Sequence, residues 1–250
     1  MQSLVDLTIK PKFYIIKTIE IMKRKITILF CLLILTVPIC AQDACSKFYI
    51  LKEGASLQYT SYDKKGNEEG TIDYKVHNVT QKDDVTDARM KIMFKDAKGK
   101  ESITMDYNFS CHDNIVEIDY ESMLNNEMLK QFEDMKMEIS GTDLVIPNDL
   151  NVGQKLDDAS VTMKMDMSGM KMNFQVDMIN RSVEKKESTT TPAGTFECYV
   201  IYGESVTKMM MKQTIPSRMW LAEGVGMIKQ ESYDKGGKLM NSMVLTQYSN

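Results

Sequence analysis

Residues 161–178, V-T-M-K-M-D-M-S-G-M-K-M-N-F-Q-V-D-M, decide the fold of this chain. Apolar and polar residues alternate on both sides of the dipeptide Ser168-Gly169, and this period of two is that of a β-strand, whose side chains point to opposite faces in turn. A two-residue turn at Ser168-Gly169 pairs apolar residues across one face: Met167 with Met170, Met165 with Met172, Met163 with Phe174 and Val161 with Val176. The stretch therefore predicts a β-hairpin whose register is fixed by its apolar face.

The N-terminal 41 residues have the composition of an export signal. A basic cluster, Met22-Lys23-Arg24-Lys25, precedes an apolar run at 26–39, and small and polar residues follow at Cys40-Ala41-Gln42. This order of basic, apolar and small residues is typical of a secretory signal peptide. The apolar run of about fourteen residues is shorter than the roughly 20 that a membrane-spanning helix requires.

We expect residues 1–41 to comprise an upstream extension and a signal peptide, which is removed by cleavage near Ala41. Attachment of a lipid to Cys40 is the less favoured alternative, because such signals have a small residue before the cysteine and this chain has Ile39. Residues 42–250 are then the mature chain, which has no transmembrane span and is periplasmic or secreted.

The mature chain is acidic, with 25 Lys/Arg and 33 Asp/Glu and hence a net charge of −8. An acidic surface argues against binding to nucleic acid or to anionic membranes. Charges of both signs are interspersed, and no Pro/Gly/Ser-rich linker divides the sequence. The length and composition predict a single domain over residues 42–250, with a substantial core.

Three cysteines remain in the mature chain: Cys45, Cys111 and Cys198. An exported protein enters an oxidising compartment, so a disulfide is expected, and an odd number allows one pair within the chain. Cys198 alternates with Phe196 and Val200 in a strand-like run and is interpreted as a buried small apolar residue. Cys45 and Cys111 lie at the edges of apolar segments, and we predict that these two form the disulfide.

Asp/Lys/Gly turns follow aromatic strand ends at residues 62–67, 94–100 and 233–238. Glycine supplies the positive φ of tight turns and Asp bonds the nearby backbone, so each turn indicates a hairpin. Short β-rich runs flank these turns along the mature chain. The predicted fold is mainly all-β: a single antiparallel curved sheet or incomplete β-barrel.

Residues 122–135 break this pattern. Leu124, Met128, Phe132 and Met135 recur at a spacing of three and four residues, with polar residues between them. The spacing predicts an amphipathic helix, with Ser122 as its N-cap. We expect the helix to pack against the concave side of the sheet.

Two C-terminal blocks, T-T-P-A-G-T-F-E-C-Y at 190–199 and W-L-A-E-G-V-G-M-I-K-Q-E-S-Y-D-K-G-G-K-L at 220–239, carry a family resemblance. Together with the opening of the mature chain at 45–63, they resemble an uncharacterised family of exported Bacteroidetes proteins labelled TapB-like. That family in turn is similar to lipoprotein carriers, which hold acyl chains in a half-open barrel. The resemblance implies a curved sheet and export, and it supplies no catalytic residues.

Methionine is abundant, and three interpretations remain open. The methionines fill an ordinary core as flexible apolar side chains, or they line a cavity for a lipid-like apolar ligand, or they bind a soft metal such as Cu(I) through their thioethers. Packing alone already explains the facing pairs of the hairpin, and no histidine accompanies them. The candidate ligand-binding residues are Met163, Met165, Met167, Met170, Met172 and Phe174, with Met128 and Phe132 of the predicted helix as a lid.

The sequence contains no catalytic motif that we recognise. It has two histidines, His77 and His112, and lacks H-E-x-x-H, C-x-x-C, G-x-S-x-G and a phosphate-binding glycine loop. His112 follows Cys111, and neighbours in a strand point to opposite faces, so the two make no catalytic pair. We therefore predict a non-enzymatic envelope protein without cofactor or metal, whose interior holds an apolar ligand; the alternative is a structural or partner-docking protein with a plain methionine-rich core.

Overall fold

Thirteen antiparallel strands form one continuous sheet in a computed structural model that describes residues 45–124, 136–167, 170–209 and 211–250. These residues fall within one compact unit, Ala44–Asn250. The predicted extension and signal peptide at 1–41 lie outside the described residues. The strands are β1 (Ser56–Asp63), β2 (Glu68–Lys82), β3 (Val85–Asp96), β4 (Glu101–His112), β5 (Ile115–Ile118), β6 (Lys136–Thr142), β7 (Leu144–Pro147), β8 (Ala159–Met167), β9 (Met170–Thr191), β10 (Gly194–Lys208), β11 (Lys212–Ala222), β12 (Gly226–Tyr233) and β13 (Leu239–Ser249).

The sheet curls until it nearly closes into a barrel. Its strand order is β6-β8-β9-β10-β11-β12-β13-β1-β2-β3-β4-β5-β7, so β6 and β7 occupy the two ends. These two strands are nevertheless consecutive in the chain, with Asp143 alone between them. One intervening residue spans only a few ångströms, which requires the two ends of the sheet to lie close together. The predicted all-β curved sheet or incomplete barrel is confirmed.

The methionine hairpin has the predicted register. Strands β8 and β9 pair Met165 with Met172, Met163 with Phe174, and Val161 with Val176, and Met167 lies opposite Met170 at the end of the ladder. On its other side β8 pairs with β6, which places Ile139 beside Met163 and Met137 beside Met165. The predicted turn at Ser168-Gly169 lies outside the described residues.

The prediction of an amphipathic helix from Ser122 is wrong for the first residues of that segment, up to Leu124. A short 3₁₀ helix, Tyr120–Met123, is capped by Asp119, whose carboxylate accepts the amide of Glu121, and Leu124 is already extended. The predicted cap, Ser122, is buried and has another role, because its hydroxyl accepts a hydrogen bond from the amide of Asn108 on β4 at 3.0 Å. The rest of the predicted helix, with Met128 and Phe132, lies outside the described residues. No helix in the described part of the chain combines the length and the apolar character needed to cross a membrane.

Among the described residues, buried apolar side chains form two clusters. The larger contains residues from both ends of the chain, among them Tyr59, Val76, Ile92, Val116, Cys198, Trp220 and Leu245. The smaller gathers Phe48, Ile146, Leu150, Leu156, Val183, Ile201 and Leu221. Cys198 is fully buried as a small core residue and has no disulfide partner in the part of the chain that the structure describes.

The segment before β1 is fastened to the barrel by covalent and polar contacts. Cys45 and Cys111 on β4 are joined in a disulfide, with their Cα atoms 5.9 Å apart. Asn148, which follows β7, donates to the carbonyl oxygen of Cys45 and accepts the amide of Lys47, both at 2.8 Å. These contacts hold Phe48 in the smaller cluster, where it is fully buried.

Candidate functional site

The curved sheet surrounds a partly open cavity of ≈ 350 Å³. Its walls come from β1 to β5, β7, β9 to β12 and the segment before β1, so nearly the whole barrel contributes. Most of the lining is apolar or aromatic. The apolar and aromatic lining residues are Tyr49, Ile50, Leu57, Tyr59, Tyr74, Met90, Tyr107, Phe109, Ile118, Leu144, Ile146, Met178, Ile201, Tyr202, Met219, Val225 and Met227.

Four tyrosines give the cavity an aromatic wall. The ring of Tyr59 lies edge-on to that of Tyr74, with centroids 5.0 Å apart, and Tyr49 packs against Phe109 at 5.3 Å. Burial raises the pKa of Tyr49, Tyr59, Tyr74 and Tyr107 above the ordinary value of a phenol. Neighbouring tyrosines raise the pKa of Tyr49, Tyr59 and Tyr74 further, while the charge of Arg181 opposes the rise at Tyr49. These side chains therefore stay neutral at physiological pH and offer hydroxyl groups rather than phenolates.

Arg181 on β9 supplies a positive charge to the lining. Its side chain is only 7 % exposed, and burial lowers the pKa of its guanidinium. Nη1 donates to the carbonyl oxygen of Asp157 and Nη2 to that of Val145, at 2.5 and 3.1 Å. Val145 belongs to β7, so the second bond connects β9 to the far end of the sheet.

A β-bulge positions this arginine. On β10, Tyr202 pairs with Ser182 and Glu204 with Ile179, so Gly203 faces two residues of β9, Asn180 and Arg181. Asn180 has a positive φ of 57°, which is the local kink expected of a bulge. A Cβ at position 203 would lie 3.3 Å from Cγ of Arg181, so the absence of a side chain there gives the arginine room to cross the wall.

The remaining polar lining lies on neighbouring strands. Tyr202 donates its hydroxyl to Glu204 Oε1 at 2.9 Å, and Tyr59 donates to the carbonyl oxygen of Met227 at 2.8 Å. Ser205, Ser217 and Gln230 complete the polar side of the lining. The cavity is thus amphiphilic, with an extensive apolar surface and a few fixed polar groups.

Four of the residues predicted to bind a ligand have described side chains, and these four lie outside the lining of this cavity. Met163 and Met165 are buried in β8, and Met172 and Phe174 are half-buried on β9, but none of the four lines it. Their apolar faces contact one another and β6, as the register of these strands requires. The side chains of Met167 and Met170, and all of Met128 and Phe132, lie outside the described part of the structure. The assignment of these residues to ligand binding therefore stays a prediction.

Sequence reasoning missed the cavity residues because every contributing strand except β10 supplies only one or two of them. Tyr59, Tyr74 and Tyr107 lie in runs that were correctly predicted as strands, yet a single aromatic in a strand is usually core. Arg181 carries no local signal at all, since its burial depends on β7 and on the bulge at Gly203. Only the three-dimensional pairing brings these residues together.

The histidines lie apart from the cavity. His112 on β4 contacts Glu117 Oε2 through Nε2 at 3.0 Å and Asp113 Oδ2 through Nδ1 at 3.2 Å. His77 lies 3.5 Å from Asp106 Oδ1. Within 45–124, 136–167, 170–209 and 211–250, no group of three or more His, Cys, Asp or Glu side chains could hold a metal ion.

Comparisons with known proteins identify a family and a fold. A family model described as DUF3108-like matches residues 52–245. A protein of Bacteroides fragilis, described as exported with a YmcC-like fold, is 18 % identical with a TM-score of 0.65 over 82 % of this chain and 100 % of that one. A protein of Parabacteroides distasonis, described as a lipoprotein, is 24 % identical with a TM-score of 0.64 over 83 % and 100 %. None of the curated proteins matches this chain. At these identities the solved structures show the shared fold, and the matches carry no TapB-like label.

Proposed function

The chain belongs to the DUF3108-like family, and from that premise we propose that it is an exported, non-enzymatic protein that holds a lipid-like apolar ligand inside its barrel. The observation that carries this proposal is the cavity of ≈ 350 Å³ with its apolar and aromatic lining. Its volume lies within the roughly 300–1,000 Å³ of small-molecule sites, and those sites are likewise mostly apolar with a few placed polar groups.

Export is supported by two independent features. The solved proteins of Bacteroides fragilis and Parabacteroides distasonis named above are described as an exported protein and a lipoprotein. The disulfide between Cys45 and Cys111 suits an oxidising compartment outside the cytoplasm. Together with the basic and apolar N-terminal sequence, these features favour a periplasmic or secreted protein.

A binding role fits the chemistry of the cavity better than catalysis does. The buried tyrosines have raised pKa values and remain protonated, so they are poor bases and poor nucleophiles at neutral pH. Arg181 is fixed by two backbone carbonyl groups, which suits it to holding a group in place. These properties support a ligand that is retained rather than transformed.

A docking role for another protein is the second candidate. Met209 and Met211, at the end of the β10–β11 hairpin, are 58 % and 86 % exposed. Exposed methionines are common at adaptable binding surfaces. This role would place the function on the outside of the barrel and leave the cavity unused.

The test is binding of a neutral apolar fluorescent probe, N-phenyl-1-naphthylamine, to the delipidated mature protein. Met219 lines the cavity and is half-buried, so Met219→Trp should fill space there and weaken probe binding by about tenfold or more. Met243 is equally half-buried on β13 but does not line the cavity, so Met243→Trp is the matched control and should bind like wild type. Absence of probe binding to the wild type, or equal loss in both variants, would overturn the proposal.

A further inference from the structure

Arg181 is a buried cation whose hydrogen bonds, within the described residues, go to neutral carbonyl groups. Its guanidinium donates to the carbonyl oxygens of Val145 and Asp157. No carboxylate in the described residues lies within ion-pair distance, 4.0 Å, of this side chain. A buried charge is costly unless an opposite charge and hydrogen bonds compensate it. The two carbonyl groups supply part of the hydrogen bonding that the guanidinium needs. They supply no opposite charge.

The nearest acidic groups do not supply the missing charge. Asp157 and Asp158 interact electrostatically with Arg181 at longer range. Both residues are exposed, so water and salt screen their charges. Arg181 therefore contributes an electrostatic attraction for an anion at the wall of the cavity.

The geometry of the guanidinium suits an oxygen anion. A guanidinium has five N–H donors in a planar fork that matches the oxygens of a carboxylate or a phosphate. The two carbonyl bonds engage Nη1 and Nη2 with one donor each, and they fix the orientation of the fork. The fork is thereby held in place before any ligand enters, which lowers the entropy cost of binding.

Tyr49 adds a neutral donor in the same region. Its phenol lines the cavity and interacts electrostatically with Arg181 and with Tyr107. A protonated phenol can donate a hydrogen bond to an anion next to the guanidinium. The polar part of the lining therefore combines a fixed cation with a hydroxyl donor, and the carboxylate of Glu204 in the same lining accepts hydrogen bonds from Tyr202 and Asn180.

The apolar part of the same cavity accommodates a chain. Leu57, Met90 and Ile118, from β1, β3 and β5, line it and are each almost fully buried. A volume of ≈ 350 Å³ is at the low end for small-molecule sites. One hydrocarbon chain fits such a space better than the two chains of a phospholipid.

We propose that the ligand is a single-chain amphiphile with an anionic oxygen head group, a carboxylate or a phosphate, and that Arg181 receives that head group. The proposal rests on the function proposed above and specifies the class of ligand. The charge of Arg181 selects the head group, and the aromatic and aliphatic wall holds the chain.

The experiment compares four ligands with the same twelve-carbon chain by displacement of N-phenyl-1-naphthylamine from the delipidated wild type. Dodecanoate and dodecyl phosphate should displace the probe at concentrations about tenfold or more below that of dodecanol, and dodecyltrimethylammonium should be weaker than dodecanol. The stronger of the two anions identifies the head group as carboxylate or phosphate. Equal displacement by dodecanol and both anions would overturn the proposal while leaving the proposed function intact, whereas lack of probe binding would contradict the proposed function itself.

Two variants assign the selectivity to a residue. Arg181→Met should still bind the probe and should lose the preference for the anions over dodecanol. Arg89→Met removes an exposed arginine that does not line this cavity and should keep the preference. A preference for anions that survives in folded Arg181→Met would overturn the assignment. Should that variant fail to fold, Arg181→Lys retains the charge without the fork and should bind dodecanoate more weakly than wild type does.

Discussion

Asn148 Nδ2 donates to the carbonyl oxygen of Cys45 at 2.8 Å, although the two residues lie 103 positions apart in the chain. The side-chain oxygen of Asn148 accepts a hydrogen bond from the backbone amide of Lys47 at 2.8 Å. The backbone amide of Asn148 donates to the carbonyl oxygen of Asn114. Because Asn148 is only 4 % exposed, water does not readily replace these partners. One buried amide thus fastens the segment before β1 to the loop after β7.

Asn148→Ala should lower the free energy of unfolding by about 1–3 kcal/mol, because it removes both hydrogen bonds that the buried Asn148 side chain makes to the backbone of Cys45 and Lys47. Chemical denaturation measures the change. Asn151→Ala on the same loop is the control, since Asn151 is exposed, and it should change stability by no more than about 0.5 kcal/mol. Equal stability of the two variants would contradict the fastening role of Asn148.

Removal of the disulfide by the double change Cys45→Ala and Cys111→Ala should lower the free energy of unfolding by up to about 4 kcal/mol. The two cysteines are 66 positions apart, and the crosslink restricts a long loop in the unfolded chain. Denaturation with and without reductant checks this result. Reductant should destabilise the wild type and leave the double variant unchanged; an unchanged wild type would show that the bond contributes nothing.

Gly141→Ala should destabilise the protein by about 1–3 kcal/mol, because a Cβ there would overpack the contact between β6 and β8. It would lie 2.2 Å from the carbonyl oxygen of Ser160 and 2.7 Å from the ring of Tyr120. Gly236→Ala is the control, since its Cβ would approach only the end of the Asp234 side chain, at 3.2 Å. Thermal unfolding of both variants measures the difference in stability. A melting temperature of Gly141→Ala equal to that of the wild type would contradict the close contact at this position.

His112 should make stability depend on pH above the ordinary pKa of histidine. Hydrogen bonds to Glu117 and then Asp113 raise the pKa of its imidazole. The protonated form is therefore favoured in the folded state, and the stabilisation is fully present below about pH 6.5 and is lost as the pH rises through the folded pKa. Denaturation between about pH 6 and pH 9 should show a steeper fall for the wild type than for His112→Gln or Glu117→Gln. Identical slopes would rule out the histidine as the source.

The sequence was most informative where a single period governed many residues. In the methionine hairpin, every pair from Val161 with Val176 to Met167 with Met170 follows from alternation on one face, and the structure has that register. Alternation and glycine turns repeated along the chain likewise predicted an antiparallel curved sheet. Alternation and turn glycines are local signals, and they predict the sheet because the signals of successive strands all favour the same fold.

Long-range contacts explain what could not be predicted. Ser122 looked like a helix cap, but its hydroxyl bonds the amide of Asn108, and Asp119 caps a shorter 3₁₀ turn instead. The cavity joins side chains from Tyr49 to Gln230, and no spacing rule connects them. Arg181 faces that cavity because β7 and β9 meet across the curl of the sheet, which is a property of the whole fold.

The bond from Arg181 to Val145 also bears on self-association. An edge strand is where a second molecule can add its own strand, and such additions begin aggregation. β7 is an edge of only four residues, its Val145 carbonyl is occupied by the arginine, and Pro147 has no N–H to donate. The side chain that we assign to ligand recognition therefore also protects this edge, and its loss would leave β7 more open to strand addition from a neighbouring copy.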